Sequence, residues 1–185
     1  MLKHNVSRVL FVSMLAFGAY CSPAAEETAE KTGASALPQE PVTAAAELQP
    51  TAGNAVAGSV SFEESNGRVK IVAHVTGLEP GKHGFHIHET GDCSAPDGTS
   101  AGGHFNPDQS AHGAPDADTH HAGDLGNIEA DAQGVADLDM SVEFVTLTEG
   151  AHSILGRAVI VHAQEDDFGQ PTGHAGARLA CGVIR

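Results

Sequence analysis

From Ala55 onward the chain alternates apolar and polar residues in short runs split by turn residues, the period-two spacing of half-buried β-strands. Val56-Ala57-Gly58-Ser59-Val60-Ser61-Phe62 predicts one strand and Arg68–Val75 a second. Ser65-Asn66-Gly67 between them is a hairpin turn signal, and Gly77-Leu78-Glu79-Pro80-Gly81 ends the pair. Further strands are predicted at His83–Glu89, Gly126–Ala130, Gly134–Met140, Ser141–Leu147, Leu155–His162 and Arg178–Ile184, with a turn at Asp131-Ala132-Gln133-Gly134. No window longer than a turn or two carries a helical period. About eight strands in roughly 130 residues predict an all-β fold, an eight-stranded Greek-key barrel or sandwich. Residues 91–123 and 163–177 lack any such pattern, and loops of that length in a compact domain are usually functional.

The first 53 residues read differently. Lys3 and Arg8 precede an uncharged stretch from Val9 to Tyr20, so residues 1–21 are expected to be an export signal, too short to span a bilayer as a mature helix. Gly18-Ala19-Tyr20-Cys21 resembles the lipobox of bacterial lipoproteins, in which the Cys is lipidated, although Tyr20 stands where Gly or Ala is normal. Cleavage after Ser22-Pro23-Ala24 or Pro23-Ala24-Ala25 would instead release a free periplasmic protein. Three Cys is an odd count, and acylating Cys21 would remove a loose thiol from an oxidising compartment. Residues 22–53 are rich in Ala, Glu, Pro and Thr and are expected to form a disordered tether. The folded domain is then expected over residues 54–185.

Composition narrows the class. The 185 residues carry 9 Lys+Arg against 24 Asp+Glu, a net charge of −15, so nucleic acid is excluded as a partner, and attachment to a membrane would come only through a lipid on Cys21. Removing residues 1–21 leaves 7 positive against 24 negative side chains, a net −17. With no Trp, one Tyr and seven Phe, the core must be built from Val, Ile, Leu, Ala and a few Phe. Twelve His beside those carboxylates are a rich supply of metal ligands.

Their spacing points to metal chemistry. In Gly84-Phe85-His86-Ile87-His88-Glu89 the two His share one strand face, while Phe85 and Ile87 take the other. Two solvated His would explain that strand equally well by itself. The long loop adds His104, His112, His121 and Asp124; three imidazoles and a carboxylate make a complete tetrahedral zinc shell. His162 closes Ala158-Val159-Ile160-Val161-His162 and would complete four imidazoles with His86, His88 and one loop His, a set suited to Cu(II). Seven residues for eight donor positions require one shared His, and His104 is the natural bridge.

With those motifs, and with Gly103-His104-Phe105-Asn106-Pro107, His121-Ala122-Gly123-Asp124-Leu125-Gly126-Asn127, Gly156–His162 and Gly176-Ala177-Arg178-Leu179-Ala180-Cys181-Gly182, the chain resembles the copper/zinc superoxide dismutases over Ala55–Arg185. The resemblance implies copper at His86, His88, His104 and His162, and zinc at His104, His112, His121 and Asp124. It implies that Asp166 links a zinc His to a copper His, and that Arg178 guides the anion. It also implies a Cys93–Cys181 disulfide and dismutation of superoxide by alternating copper redox, with His104 leaving copper to carry a proton. The family uses several dimer interfaces, so a homodimer stays open.

Some positions depart from the family pattern or compete with it. Cys93 lies five residues after His88, an offset similar to bacterial members. Residues 163–177 carry no Lys, whereas members with a longer loop use lysines there for steering. His120 adjoins His121 but is expected to be solvated, as are His174 and His74; His83 and His152 are expected to be structural. The alternative to an enzyme is a non-enzymatic copper/zinc buffer on the same scaffold.

Overall fold

A computed structural model describes residues 40–185. Cys21, the export signal and the first part of the expected tether lie outside the described residues. Eight strands, β1 (Val42–Pro50), β2 (Ala57–Ser65), β3 (Arg68–Thr76), β4 (Gly81–His88), β5 (Asp124–Ala130), β6 (Val135–Val142), β7 (Ala158–His162) and β8 (Arg178–Val183), form the framework. They close into an antiparallel barrel in the order β1-β2-β3-β6-β5-β4-β7-β8, so β3 meets β6 and β4 meets β7 in Greek-key fashion.

Alternation makes the core. Val69, Ile71, Ala73 and Val75 of β3 point inward and are almost wholly buried, joined by Val60, Phe62, Phe85, Ile87, Val159 and Val161. Arg68, Lys70 and His74, from the other face of β3, pair across the surface with Glu143, Asp139 and Asp137. The β2–β3 hairpin turns through Asn66 and Gly67, with φ of 52° and 75°, the two left-handed residues of a type I′ turn.

Two expectations need correction. The tether does not reach residue 53, because Val42–Pro50 is β1, paired with β2 along most of its length and with β8 at Gln49↔Cys181 and Pro50↔Ala180. Ala44, Ala46 and Leu48 alternate into the core; small alanines disguise the period, and the register with β2 supplies the backbone partners. Ser141–Leu147 is not a separate strand. β6 runs to Val142, and beyond it Leu147 and Thr148 donate their backbone N–H groups to the Glu64 carboxylate instead of to a neighbouring strand. Val145 and Leu147 are nevertheless buried, which is why the segment alternates.

The long loops join β4 to β5 and β7 to β8. Cys93 in the first is disulfide-bonded to Cys181 of β8, 88 positions away; closing a loop of that size contributes about 4 kcal/mol in the chain-entropy account.

Candidate metal centre

β4 faces two ways. Phe85 and Ile87 enter the barrel, while His86 and His88 face away from it and are still buried beneath the two loops. The first loop returns along β4: Phe105 N–H donates to the Ile87 carbonyl at 2.8 Å, Ile87 N–H donates to Gly123 at 2.9 Å, and His104 lies bridged to His88. Gly123 permits the approach, since a Cβ there would stand 2.1 Å from the Ile87 oxygen. This pairing sets His104 beside the β4 histidines and brings His121 and Asp124 to the start of β5. β7 ends at His162, and β8 begins at Arg178, its pairing partner.

The seven predicted side chains meet as two buried groups, His86, His88, His104 and His162 in one and His104, His112, His121 and Asp124 in the other. His104 belongs to both. Its Nδ1 is 2.8 Å from Asp124 Oδ1 and 3.4 Å from His121 Nδ1, which leaves its opposite ring edge to the first group.

Hydrogen bonding fixes which nitrogens hold lone pairs. The Gly102 carbonyl can only accept, so His88 Nδ1 donates to it at 2.9 Å and His88 Nε2 is bare. His162 Nδ1 lies 3.4 Å from the Gly176 carbonyl in the same way. The two Nε2 atoms then face each other at 3.3 Å. Asp166, an ionised carboxylate and so an acceptor, takes His86 Nε2 at 2.8 Å and His112 Nε2 at 3.0 Å. The other nitrogens of those two rings, both Nδ1, are buried without a hydrogen-bond partner. His112 Nδ1 stands 2.9 Å from Asp124 Oδ2 without a bonding approach. Lone pairs and a carboxylate converging in a dry site are costly unless a cation sits among them. The donor chemistry fits copper at the all-imidazole group and zinc at the group that adds a carboxylate.

The protonation states agree with that use. Burial lowers His86 to about 4 and His162 to about 3, and burial also lowers His88 well below its ordinary value, so all three rings are neutral at physiological pH, as a metal ligand must be. For Asp166, burial pushes the carboxyl upward, but hydrogen bonds from His86, His112 and Phe168 N–H outweigh it and hold the group well below the usual carboxylate range. Asp124 is likewise lowered against its burial, by His104 and the His121 N–H.

Arg178 is half-buried, its guanidinium donating to the carbonyls of Gly98 at 2.7 Å and Gly102 at 2.6 Å. The Gly102 carbonyl is the one that also orients His88, so the arginine and a copper-group imidazole share an anchor. His83 is structural as expected, with its two nitrogens 2.8 Å from the carbonyls of His162 and Glu79. His152 is also structural, with Nδ1 2.9 Å from the Phe144 carbonyl. His74 and His174 are exposed and pair with Asp137 and Asp167. His120 is not simply solvated, since it is half-buried, packs edge-on against Phe144 and bonds the His121 carbonyl.

Sequence reasoning missed the groups that hold the ligands in place. Asn127 bonds both backbone groups of Asp166, at 2.7 and 3.0 Å, and Gln170 does the same for His112, at 2.8 and 3.1 Å. Asn127 closes the His121–Asn127 motif, but an isolated Gln170 carries no signal.

Comparison with known proteins agrees with this geometry. A family model for copper/zinc superoxide dismutase (SODC) matches residues 56–184. The chain is 49% identical over 140 residues to superoxide dismutase [Cu-Zn] 2 of Mesembryanthemum crystallinum, covering 71% of this chain and 88% of the plant protein. It is 47% identical over 135 residues to the extracellular superoxide dismutase [Cu-Zn] of Caenorhabditis elegans, covering 69% of this chain but 60% of the worm protein. It thus spans less than two thirds of that relative. Among solved structures, the clock protein EA4 superposes with a TM-score of 0.71 at 39% identity, over 79% of this chain and 95% of that one. The chain belongs to the copper/zinc superoxide dismutase family, oxidoreductases that use copper and zinc to dismute superoxide.

Proposed function

We propose that the chain converts two superoxide anions and two protons into O₂ and H₂O₂ in the cell envelope or outside the cell, with the seven donors divided between the metals as the resemblance implies. Copper, when bound, supplies the alternating one-electron oxidation and reduction. His86, His88 and His162 hold that metal, kept neutral by burial and oriented by Asp166 and the Gly102 and Gly176 carbonyls. His112, His121 and Asp124 hold zinc. His104 touches both groups and holds the proton for the reductive half of the cycle at the nitrogen facing the copper group. Arg178 attracts and orients the anion through charge-assisted hydrogen bonds. Asp166 joins one imidazole of each group and keeps their bare nitrogens aimed inward.

The single observation that carries this reading is the sharing of His104 between two complete, buried four-donor groups. All seven donors come from one chain, so the site needs no partner subunit. Export rests on Lys3, Arg8 and the apolar stretch that follows, and the worm relative is described as extracellular. Mass measurement of the mature amino terminus separates an acylated Cys21, on a membrane-anchored protein, from a free periplasmic end. The functional test is the dismutation rate of the metallated protein and of Arg178→Glu. Reversing that charge is expected to lower kcat/KM at least about tenfold at unchanged metal content. An equal rate removes Arg178 from the mechanism, and a fully metallated parent without activity makes the protein a metal buffer.

A further inference from the structure

The turn that follows β1 lies against the other side of Arg178, in residues that precede the stretch matched by the family model. Thr51 is buried there. Its hydroxyl is 2.7 Å from the Arg178 carbonyl and 3.1 Å from that of Leu179, and it accepts a hydrogen bond from Asn54 Nδ2 at 2.6 Å. The Thr51 N–H donates to the Leu179 carbonyl at 3.0 Å, and Ala52 N–H donates to Pro96 at 2.6 Å. Gly98, whose carbonyl receives the guanidinium, has φ of 73° and sits between the Thr51 methyl and the Arg178 side chain; a Cβ there would stand 3.4 Å from each.

β8 needs such a support at this end. Its first residue, Arg178, pairs with His162 across a register break between Val161 and His162, so the ladder to β7 is irregular where the arginine starts. On the other side the regular pairing of β1 stops at Pro50↔Ala180. The Thr51 N–H carries that pairing one step further, to the Leu179 carbonyl, and its hydroxyl reaches the next residue, at the Arg178 carbonyl. Arg178 is thus held at its backbone by Thr51 and at its guanidinium by two loop carbonyls, one of them on the glycine that Thr51 packs against.

We propose that Thr51, steadied by Asn54, is a positioning residue that sets where the Arg178 guanidinium presents itself to an incoming anion. The inference rests on the reading of Arg178 as the anion-guiding residue. Thr51 makes no hydrogen bond to a donor of either metal group and acts through the arginine.

The test compares Thr51→Val, Thr51→Ser and Asn54→Ala in the metallated enzyme, each also combined with Arg178→Ala. Val keeps the shape and loses the hydroxyl. It is expected to lower kcat/KM about three- to tenfold and to raise the azide concentration needed for inhibition by a similar factor, with copper and zinc content unchanged. Ser keeps the hydroxyl and is expected to restore most of the rate. Asn54 is exposed, so Asn54→Ala keeps the test available if the Val variant does not fold; it is expected to cost about twofold. In the Arg178→Ala background neither change should lower the rate further. A Thr51→Val enzyme as active as its parent, beside an impaired Arg178→Ala, overturns the inference and spares the reading of Arg178. So does an equal loss with and without the arginine. A fully active Arg178→Ala enzyme removes the reading itself.

Discussion

At the residue scale, four of the six imidazoles in the two groups are oriented by what their outer nitrogen does. Asp166 accepts from His86 and His112, and backbone carbonyls orient His88 and His162. That these side chains gather in two groups was legible, because His-x-His on a strand and a carboxylate three residues after a His are side-chain patterns. Their supports were not. A carbonyl such as that of Gly102 belongs to any residue, and Gln170 and Thr51 act through contacts made far away in sequence. The neutral state of these rings has a consequence for stability. In the metal-free fold His86 titrates at about 4 and His162 at about 3, both below the ordinary 6.5. As pH falls through 6.5 the unfolded chain takes up protons before the folded one, so stability is lost from about 6.5 down to about 4 for His86 and about 3 for His162. Asp124 and Asp166 are lowered from 3.8 and act only at more acid pH. The urea midpoint of the metal-free protein is therefore expected to drop between about pH 7 and about pH 4.5. A constant midpoint would mean the rings are not buried as neutral groups.

At the scale of elements, the hairpin and the strands that carry the ligands follow from alternation and turn residues, whereas β1 does not. Its inward residues are Ala44, Ala46 and Leu48, and two alanines in three give a weak signal that a tether of the same composition would share. Only pairing with β2 and β8 decides the matter. The segment after β6 shows the converse, since residues 143–147 alternate and yet the Thr146 hydroxyl and the Leu147 N–H donate to the Glu64 carboxylate. A count of eight strands was reached with one missing and one too many, because period two reports burial on one side and not the presence of a neighbouring backbone. If β1 is part of the barrel, Leu48→Ala is expected to cost about 2–4 kcal/mol in chemical denaturation. A cost below about 0.5 kcal/mol, the range of surface changes, would restore the tether.

At the scale of the whole molecule, charge and chemistry pull apart. The proposed substrate is an anion and the protein carries −15, with both lysines of the described residues already paired, Lys70 to Asp139 and Lys82 to Glu165. In the proposed mechanism attraction is therefore local to the metal charges and Arg178. Raising the ionic strength shortens the screening length from about 30 Å at 0.01 M to about 8 Å at 0.15 M, which mutes the distant carboxylates more than the nearby guanidinium. The expected kcat/KM at 0.15 M equals or exceeds that at 0.01 M; a steep fall would show long-range attraction that this charge distribution lacks.

The proposed centre requires His104 to serve two metals at once. Anomalous diffraction from crystals of the reconstituted protein, recorded at the copper and zinc absorption edges, locates each ion directly. The expected result is one copper among His86, His88, His104 and His162, one zinc among His104, His112, His121 and Asp124, and the His104 ring in contact with both. A His104 bound to neither or to one metal in the oxidised protein, or a zinc placed away from Asp124, would contradict it.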